Sequence, residues 1–286
     1  MSEFEFRESA STETGRIERE GLPPGYRMRA DAHYVDALSG SPSPRADRVR
    51  EVSRPATLDE PAVPDASSAR DRRLFDQLAE DVAAIESAAA MLTGDGSALG
   101  RRVGLDLIKA QSARAAWLLR AHAMQQSADA LPAGRRRPLA AVLADIRDRA
   151  GVECRLVGVG LDVQAADESG SVTVTDAALM VAITGAIMAQ LGLVAGTDGA
   201  VIRVQAAVKH GETLTIDVAQ DAIALPAASQ ERFFDAGWVT RPGGWLAAMG
   251  AASARVAAER QGGTAILVSP DRRGCNFRLT MPIDRV

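Results

Sequence analysis

Asp71-Arg72-Arg73-Leu74-Phe75-Asp76-Gln77-Leu78-Ala79-Glu80-Asp81-Val82-Ala83-Ala84-Ile85-Glu86-Ser87-Ala88-Ala89-Ala90-Met91-Leu92 is the stretch whose reading decides the fold. Phe75, Leu78, Val82, Ile85, Ala89 and Leu92 recur at alternating steps of three and four. That spacing predicts an amphipathic helix with a coiled-coil-like seam, whose apolar stripe must meet another helix to leave water. Thr93-Gly94-Asp95-Gly96-Ser97 reads as a turn, and Val103, Ile108, Ala115 and Leu118 continue a similar stripe as far as Gln126. Each helix of the hairpin would run about 30–45 Å at 1.5 Å per residue. Two such hairpins from two chains would make a four-helix bundle, so a homodimer is expected, with a seam of Phe75, Leu78, Val82, Ile85, Leu92, Ile108 and Leu118.

Downstream the period changes. A helix over Leu139–Ala150 is expected to lead into a strand near Val152–Val157 and a second strand at Ser171–Thr175. An apolar helix follows, with Asp176 as its N-cap. Val201–Val208 and Thr213–Gln220 alternate as an antiparallel pair around His210-Gly211-Glu212. Gly244 to Arg260 reads as a helix stopped by Gly262-Gly263. Thr264–Val268 and Cys275–Met281 form a closing hairpin whose inward set is Ile266, Val268, Phe277, Leu279 and Met281. The fold class is α+β: an antiparallel two-helix hairpin followed by an α/β sandwich, a mixed sheet with helices on one face.

The organisation is then residues 1–70, a 71–127 hairpin, a 128–138 linker and a 139–286 sandwich. Ser39 to Arg70 holds five prolines among Ser, Ala, Arg and Asp, and it buries too little apolar surface to offset ordering. Before it, residues 26–38 carry both tyrosines of the protein, Tyr26 and Tyr34, with Met28, Val35 and Leu38 on a short helical pattern. This patch reads equally as a fragment folded back on the body and as a docking segment for a partner. Arg135-Arg136-Arg137-Pro138 is a solvated hinge, since arginine is the default cation of a chain whose only lysines are Lys109 and Lys209.

Composition narrows the function classes. The chain has 286 residues, 47% hydrophobic and only 4% aromatic, which implies aliphatic, alanine-rich cores with few rings for ligand stacking. A formal net charge of −4 gives no global electrostatic footprint for nucleic acid. Cys154 and Cys275 fit no metal spacing, and the acidic amino terminus lacks the regions of a signal peptide, so a reducing cytoplasmic setting is expected. Ala177 to Gly196 is uncharged for twenty residues and contains Gly192-x-x-x-Gly196. With Gln190, Thr184 and three glycines inside it and no anchoring Trp, Tyr, Lys or Arg at its ends, it reads as a buried helix without membrane insertion. Gly158-Val159-Gly160 is a lone G-x-G with Val163 in the third glycine position, so no dinucleotide fingerprint is present. No Walker loop, nucleophile elbow, zinc motif or calcium loop occurs, and three scattered histidines make no metal site.

The hairpin, the hinge and this strand–helix order together resemble the dimerisation and ATP-binding domains of sensor histidine kinases, over residues 71–286. The most specific part runs from Gly243-Gly244-Trp245 through Ala258-Glu259-Arg260-Gln261-Gly262-Gly263-Thr264-Ala265-Ile266 to Gly274-Cys275-Asn276-Phe277-Arg278-Leu279-Thr280-Met281-Pro282. In that family the same place holds a helix, a Gly-Gly stop and a hairpin ending in a phenylalanine-rich strand before proline. Arg232-Phe233-Phe234 sits where the family keeps a phenylalanine box.

The chemistry that the resemblance implies is stripped out. The family's first helix carries a phospho-accepting histidine, its imidazole the nucleophile; here Asp76 or Gln77 stands at that position. The family holds magnesium with an asparagine on the buried helix, whereas Ala186 and Gln190 occupy this helix and the only asparagine of the chain is Asn276. An Asp-x-Gly-x-Gly pattern should accept the adenine amino group; this chain has Gln220-Asp221-Ala222-Ile223-Ala224-Leu225-Pro226, so two Cβ atoms replace bare backbone and the acceptor becomes an amide or shifts by one residue. The second glycine box reads Ala247-Ala248-Met249-Gly250, so phosphates lose their cradle of open N–H groups. The vestigial pocket is therefore expected at Ala186, Gln190, Gln220, Ala222, Ala224 and Gly250, with no catalytic residue, metal or cofactor. The chain is also similar to the dimeric histidine phosphotransferases of bacterial cell-cycle relays, which have lost ATP binding.

The resemblance thus implies a catalytically inactive, dimeric histidine-kinase-like protein of bacterial two-component signalling, a pseudokinase that binds response-regulator receiver domains or other signalling partners. The alternative is a divergent sensor histidine kinase or histidine phosphotransferase using His122. At the end of the second helix His122 reads first as a side chain answering the macrodipole. Asp76 could mimic a charged phosphohistidine, or be a plain surface carboxylate. Trp117 could anchor a contact surface, or cap the bundle.

Overall fold

The computed structural model describes residues 66–93, 97–127, 134–166, 172–209, 212–225, 227–230, 232–235, 244–268 and 274–283. The 26–38 patch, His33, His210, the Gly94-Asp95-Gly96 tip and residues 128–133 lie outside the described residues.

Helices α1 (Ala66–Thr93) and α2 (Ala98–Gln126) are the hairpin, with α1 starting five residues before Asp71. Ser97 caps α2, its hydroxyl accepting from the Gly100 N–H at 3.1 Å and meeting one of the helix's orphan donors. At Gly104 the two helices approach so closely that a Cβ would lie 2.9 Å from the Ala88 carbonyl oxygen. The face that α1 buries within the chain is Leu74, Asp81 and Ala88, a heptad set one residue away from the seam. Phe75 and Val82 of the seam stay 66% and 53% exposed, while Leu78, Ile85, Leu92 and Ile108 are half-buried. Leu118 is a correction: it is fully buried in the chain's own core and cannot face a second copy. Trp117 is buried beside it, so it is no surface anchor.

The hinge is partly structured. Arg136–Pro138 forms β1, antiparallel to β3 (Thr173–Thr175), a two-stranded ladder apart from the main sheet. The expected strand at Val152–Val157 is instead helical, because α3 runs from Leu139 to Leu156 and buries Val152 and Cys154 on its inner face. Gly158, at φ 76°, then lets the chain leave the helix in a left-handed turn that L side chains resist. The strand follows later, as β2 (Gly160–Ala165). In helix α4 (Asp176–Val194) the N-cap position is Thr175, whose side chain makes no cap bond, and Asp176, expected there, lies one residue later in the first turn. Asp176 Oδ1 accepts from the Arg135 N–H at 2.8 Å and ties the hinge to that helix start.

The main sheet has the order β2-β4-β5-β7-β6, where β4 is Val201–Lys209, β5 Thr213–Gln220, β6 Thr264–Val268 and β7 Cys275–Pro282. Only β2 and β4 run parallel. Ile202, Val204, Leu214, Ile216, Val218, Phe277, Leu279 and Met281 turn inward against α3, α4 and α6 (Gly244–Arg260). Short α5 (Ala227–Gln230) follows β5. The inward set of β6 is shifted by one residue from expectation: Ala265 pairs with Leu279 and Leu267 with Phe277, while Ile266 opposes Arg278 on the outer face, 50% exposed. With helices on one face of a mixed sheet, the fold is α+β. Helix α4 is long and apolar enough to cross a membrane, but 78% of it is buried inside the chain.

Candidate functional site

Of the six residues expected at a pocket, Ala186, Gln190, Gln220 and Gly250 lie close to where α4, α6 and the end of β5 meet. Ala186 and Gln190 lie one turn apart on α4, both fully buried. The Gln190 amide Nε2 donates to the Val218 carbonyl at 2.8 Å and to the Cys275 carbonyl at 3.1 Å, so one side chain fastens the helix to β5 and β7. Its Oε1 is buried without a partner among the described residues.

Gly185 of α4 and Gly250 of α6 meet backbone to backbone. A Cβ at Gly250 would lie 2.5 Å from the Gly185 carbonyl oxygen, and one at Gly185 2.6 Å from the Gly250 carbonyl oxygen. The Ser253 hydroxyl completes this crossing by donating to the Gly250 carbonyl at 3.0 Å. The two helices leave no space for a group between them at that level.

Gln220 closes the loop after β5 on itself. Its Oε1 accepts the N–H groups of Ala222 and Ile223, both at 2.8 Å, and its Nε2 donates to the Ile223 carbonyl at 2.5 Å. The side chain is buried, and its acceptor and one of its amide hydrogens are spent within three residues. Gly274 packs directly on the Gln220–Asp221 backbone, where a Cβ would clash with the Gln220 carbonyl oxygen. The structure therefore brings Ala186, Gln190, Gly250 and Gln220 together, and leaves Ala222 and Ala224 exposed on the loop. Beyond it, Phe233, Phe234 and Phe277 cluster with ring centroids 5.3–6.0 Å apart, and the Arg255 guanidinium lies 5.4 Å over Phe234.

On the hairpin, Asp76 is exposed and Gln77 half-buried. Gln77 Nε2 donates to Asp81 Oδ1 at 3.1 Å. Asp81 is buried and shares the guanidinium of Arg114 with Glu153 of α3. Burial first, then the Asp81 charge, raise the Glu153 carboxyl above its usual range against the pull of Arg114. Burial works against the Arg114 charge, but Glu153 and Asp81 outweigh it and hold this guanidinium still more firmly protonated. The sequence reading missed this cluster; the signal was there, since Asp81, Gln111 and Arg114 occupy inward heptad positions where aliphatic residues are expected. His122 is 21% exposed, with Nε2 at 3.6 Å from Asp71 Oδ1 and Nδ1 buried without a partner among the described residues. Burial pushes the thiols of Cys154 and Cys275 up to about 12 and about 11, so neither is a nucleophile. Among the described residues no three His, Cys, Asp or Glu side chains group as metal ligands.

No family model and no curated protein matches the chain. Solved structures do. The nucleotide-free catalytic domain of histidine kinase ThkA is 12% identical, with TM-score 0.44, over 52% of this chain and 97% of its own. Full-length ShkA in complex with AMPPNP is 13% identical, with TM-score 0.49, over 77% of this chain and 46% of its own. A bacterial phosphotransferase is 13% identical, with TM-score 0.44, over 79% of this chain and the whole of its own. The likeness is one of fold alone.

Proposed function

We propose that the protein is a catalytically inactive, histidine-kinase-like signalling protein that works by recognition. The observation that carries this reading is the internal satisfaction of Gln220. A carboxylate that accepts an adenine amino group needs a free lone pair aimed at the ligand, and the Gln220 oxygen already receives two backbone N–H groups. The Gln190 brace and the Gly185–Gly250 crossing support it, since a nucleotide would have to displace hydrogen bonds and backbone packing. The absence of an imidazole at Asp76 or Gln77 removes the acceptor step on the other side.

On this reading the chain pairs with a second copy through Phe75 and Val82 and offers the hairpin face around Asp76 to receiver domains or other signalling partners in the cytoplasm, without cofactor. Isothermal titration with Mg²⁺-ATP is expected to give no binding heat; saturable, magnesium-dependent binding at micromolar nucleotide would overturn the proposal. A histidine phosphotransferase is the second reading, favoured only by the partly exposed His122 beside Asp71. Incubation with a phosphorylated receiver and a stain for acid-labile phosphohistidine separates the two, and loss of any label in His122→Ala would establish the second.

A further inference from the structure

Two carboxyls and one guanidinium sit buried where the hairpin meets the sandwich. Arg114 of α2 donates through Nε and Nη2 to Asp81 Oδ1 of α1, at 3.1 and 2.5 Å, and through Nη1 to Glu153 Oε1 of α3, at 2.7 Å. Its Nη2 also reaches Gln111 Oε1. The second oxygens, Asp81 Oδ2 and Glu153 Oε2, are buried with no partner among the described residues. With both carboxyls ionised, Asp81, Arg114 and Glu153 together would carry a net charge of −1 out of water, which is costly, and Arg120 and Arg149 line the cleft beside them without bonding either carboxyl. A proton on one carboxyl removes that charge and leaves the Arg114 bonds in place.

A cleft beside the cluster gives the proton a path. It encloses about 450 Å³, part of it open to solvent, and Glu153, Trp117, Thr184, Met180 and Met188 line it. It has room for water but not for an organic ligand. The Trp117 indole N–H is also buried without a partner, a donor for such a water.

We propose that Asp81, Arg114 and Glu153 form a proton-gated clamp, which holds the hairpin on the sandwich while one of its carboxyls is protonated and loosens when both ionise. Glu153 is the gate, because Asp81 also receives the Gln77 amide. The charged groups facing Glu153 are Asp81 from α1, Arg114 and Arg120 from α2, and Arg149 from its own helix; α4 presents Met180, Thr184 and Met188 to the cleft, without charge. The Glu153 carboxyl is raised above 4.5 in the folded chain, so its contribution to stability is complete below 4.5 and lost as pH rises through the folded value. Within that window each pH unit lowers the folded-to-unfolded ratio by up to about tenfold. The clamp holds whether or not the chain binds nucleotide.

The test is the full chain labelled with ¹³C at glutamate carboxyls, with Glu153 assigned through Glu153→Gln. The Glu153 resonance is expected to titrate above 4.5 in the native sequence and to fall back in Asp81→Asn, where one carboxyl faces one guanidinium. Amide exchange of α1 and α2, corrected for its intrinsic pH dependence, is expected to speed up several-fold through the same midpoint and to stay flat in Glu153→Gln. A Glu153 midpoint at or below 4.5 would overturn the clamp, as would hairpin exchange that ignores the midpoint. If Glu153→Gln fails to fold, the titration in the native chain and in Asp81→Asn decides alone.

Discussion

Gln190 carries more of the fold than a polar residue on an apolar helix normally does. Its amide serves two carbonyls on two strands, so truncation removes both bonds and opens a cavity in an alanine-rich core. Gln190→Ala is expected to cost about 2–4 kcal/mol in urea unfolding. Gly250→Ala adds only a methyl, yet that methyl meets the Gly185 carbonyl and forces α4 and α6 apart, at about 1–3 kcal/mol. The cysteines test burial directly. With burial raising them to about 12 and about 11, both thiols stay protonated at pH 8. Neither should react with a disulfide reagent until denaturant is added, and rapid labelling of the folded chain would contradict the packing around them. At this scale the sequence singled out Ala186, Gln190 and Gln220, but not what the two glutamine side chains do. Hydrogen bonds from Gln190 to Val218 and Cys275 join residues 28 and 85 positions apart, and no local pattern encodes such pairs.

Among the elements, legibility followed how much of the period was local. The hairpin, α6 and the β4–β5 pair were readable because apolar spacing and adjacent turn residues specify them without reference to anything distant. The failures share one cause. Val152-Glu153-Cys154 has the apolar, β-branched look of a strand, but tertiary burial of α3 continues the helix to Leu156. The face of β6 depends on its pairing with β7, and one residue of register moves Ile266 from core to surface. In α1 the true inward set includes Asp81, which an apolar count passes over. This offset has a measurable consequence. Phe75 and Val82 stand outside the chain's own core, so Phe75→Glu with Val82→Glu should leave circular dichroism unchanged and stability within about 1 kcal/mol. The same pair is expected to turn a dimer into a monomer in analytical ultracentrifugation, and a native chain that sediments as a monomer at tens of micromolar would end the dimer proposal.

Over the whole molecule, the joint between hairpin and sandwich is built like an interior. Leu74, Trp117, Leu118, Ala121 and Met124 of the hairpin share one continuous core with Leu139, Val142 and Ile146 of α3 and with α4. Arg114 crosses that joint to Glu153, Arg260 of α6 donates to the Met124 carbonyl, and Gln125 Nε2 lies 3.2 Å from Met249 Sδ. Hairpin removal would expose aliphatic side chains of α3 and strand Glu153 without its cation, each costly on its own. The expectation is one cooperative transition. Trp117 fluorescence, isolated by Trp238→Phe and Trp245→Phe, should follow the same denaturant curve as far-ultraviolet circular dichroism, since Trp117 reports on the joint and most of the dichroism comes from the rest of the chain. Two separated midpoints would mean that the hairpin detaches first, and the joint would then be a hinge able to move while the sandwich stays folded. Coincident midpoints would mean that a partner seated on the hairpin is read by the whole chain, because any shift at α2 must be accommodated by α3, α4 and α6 together.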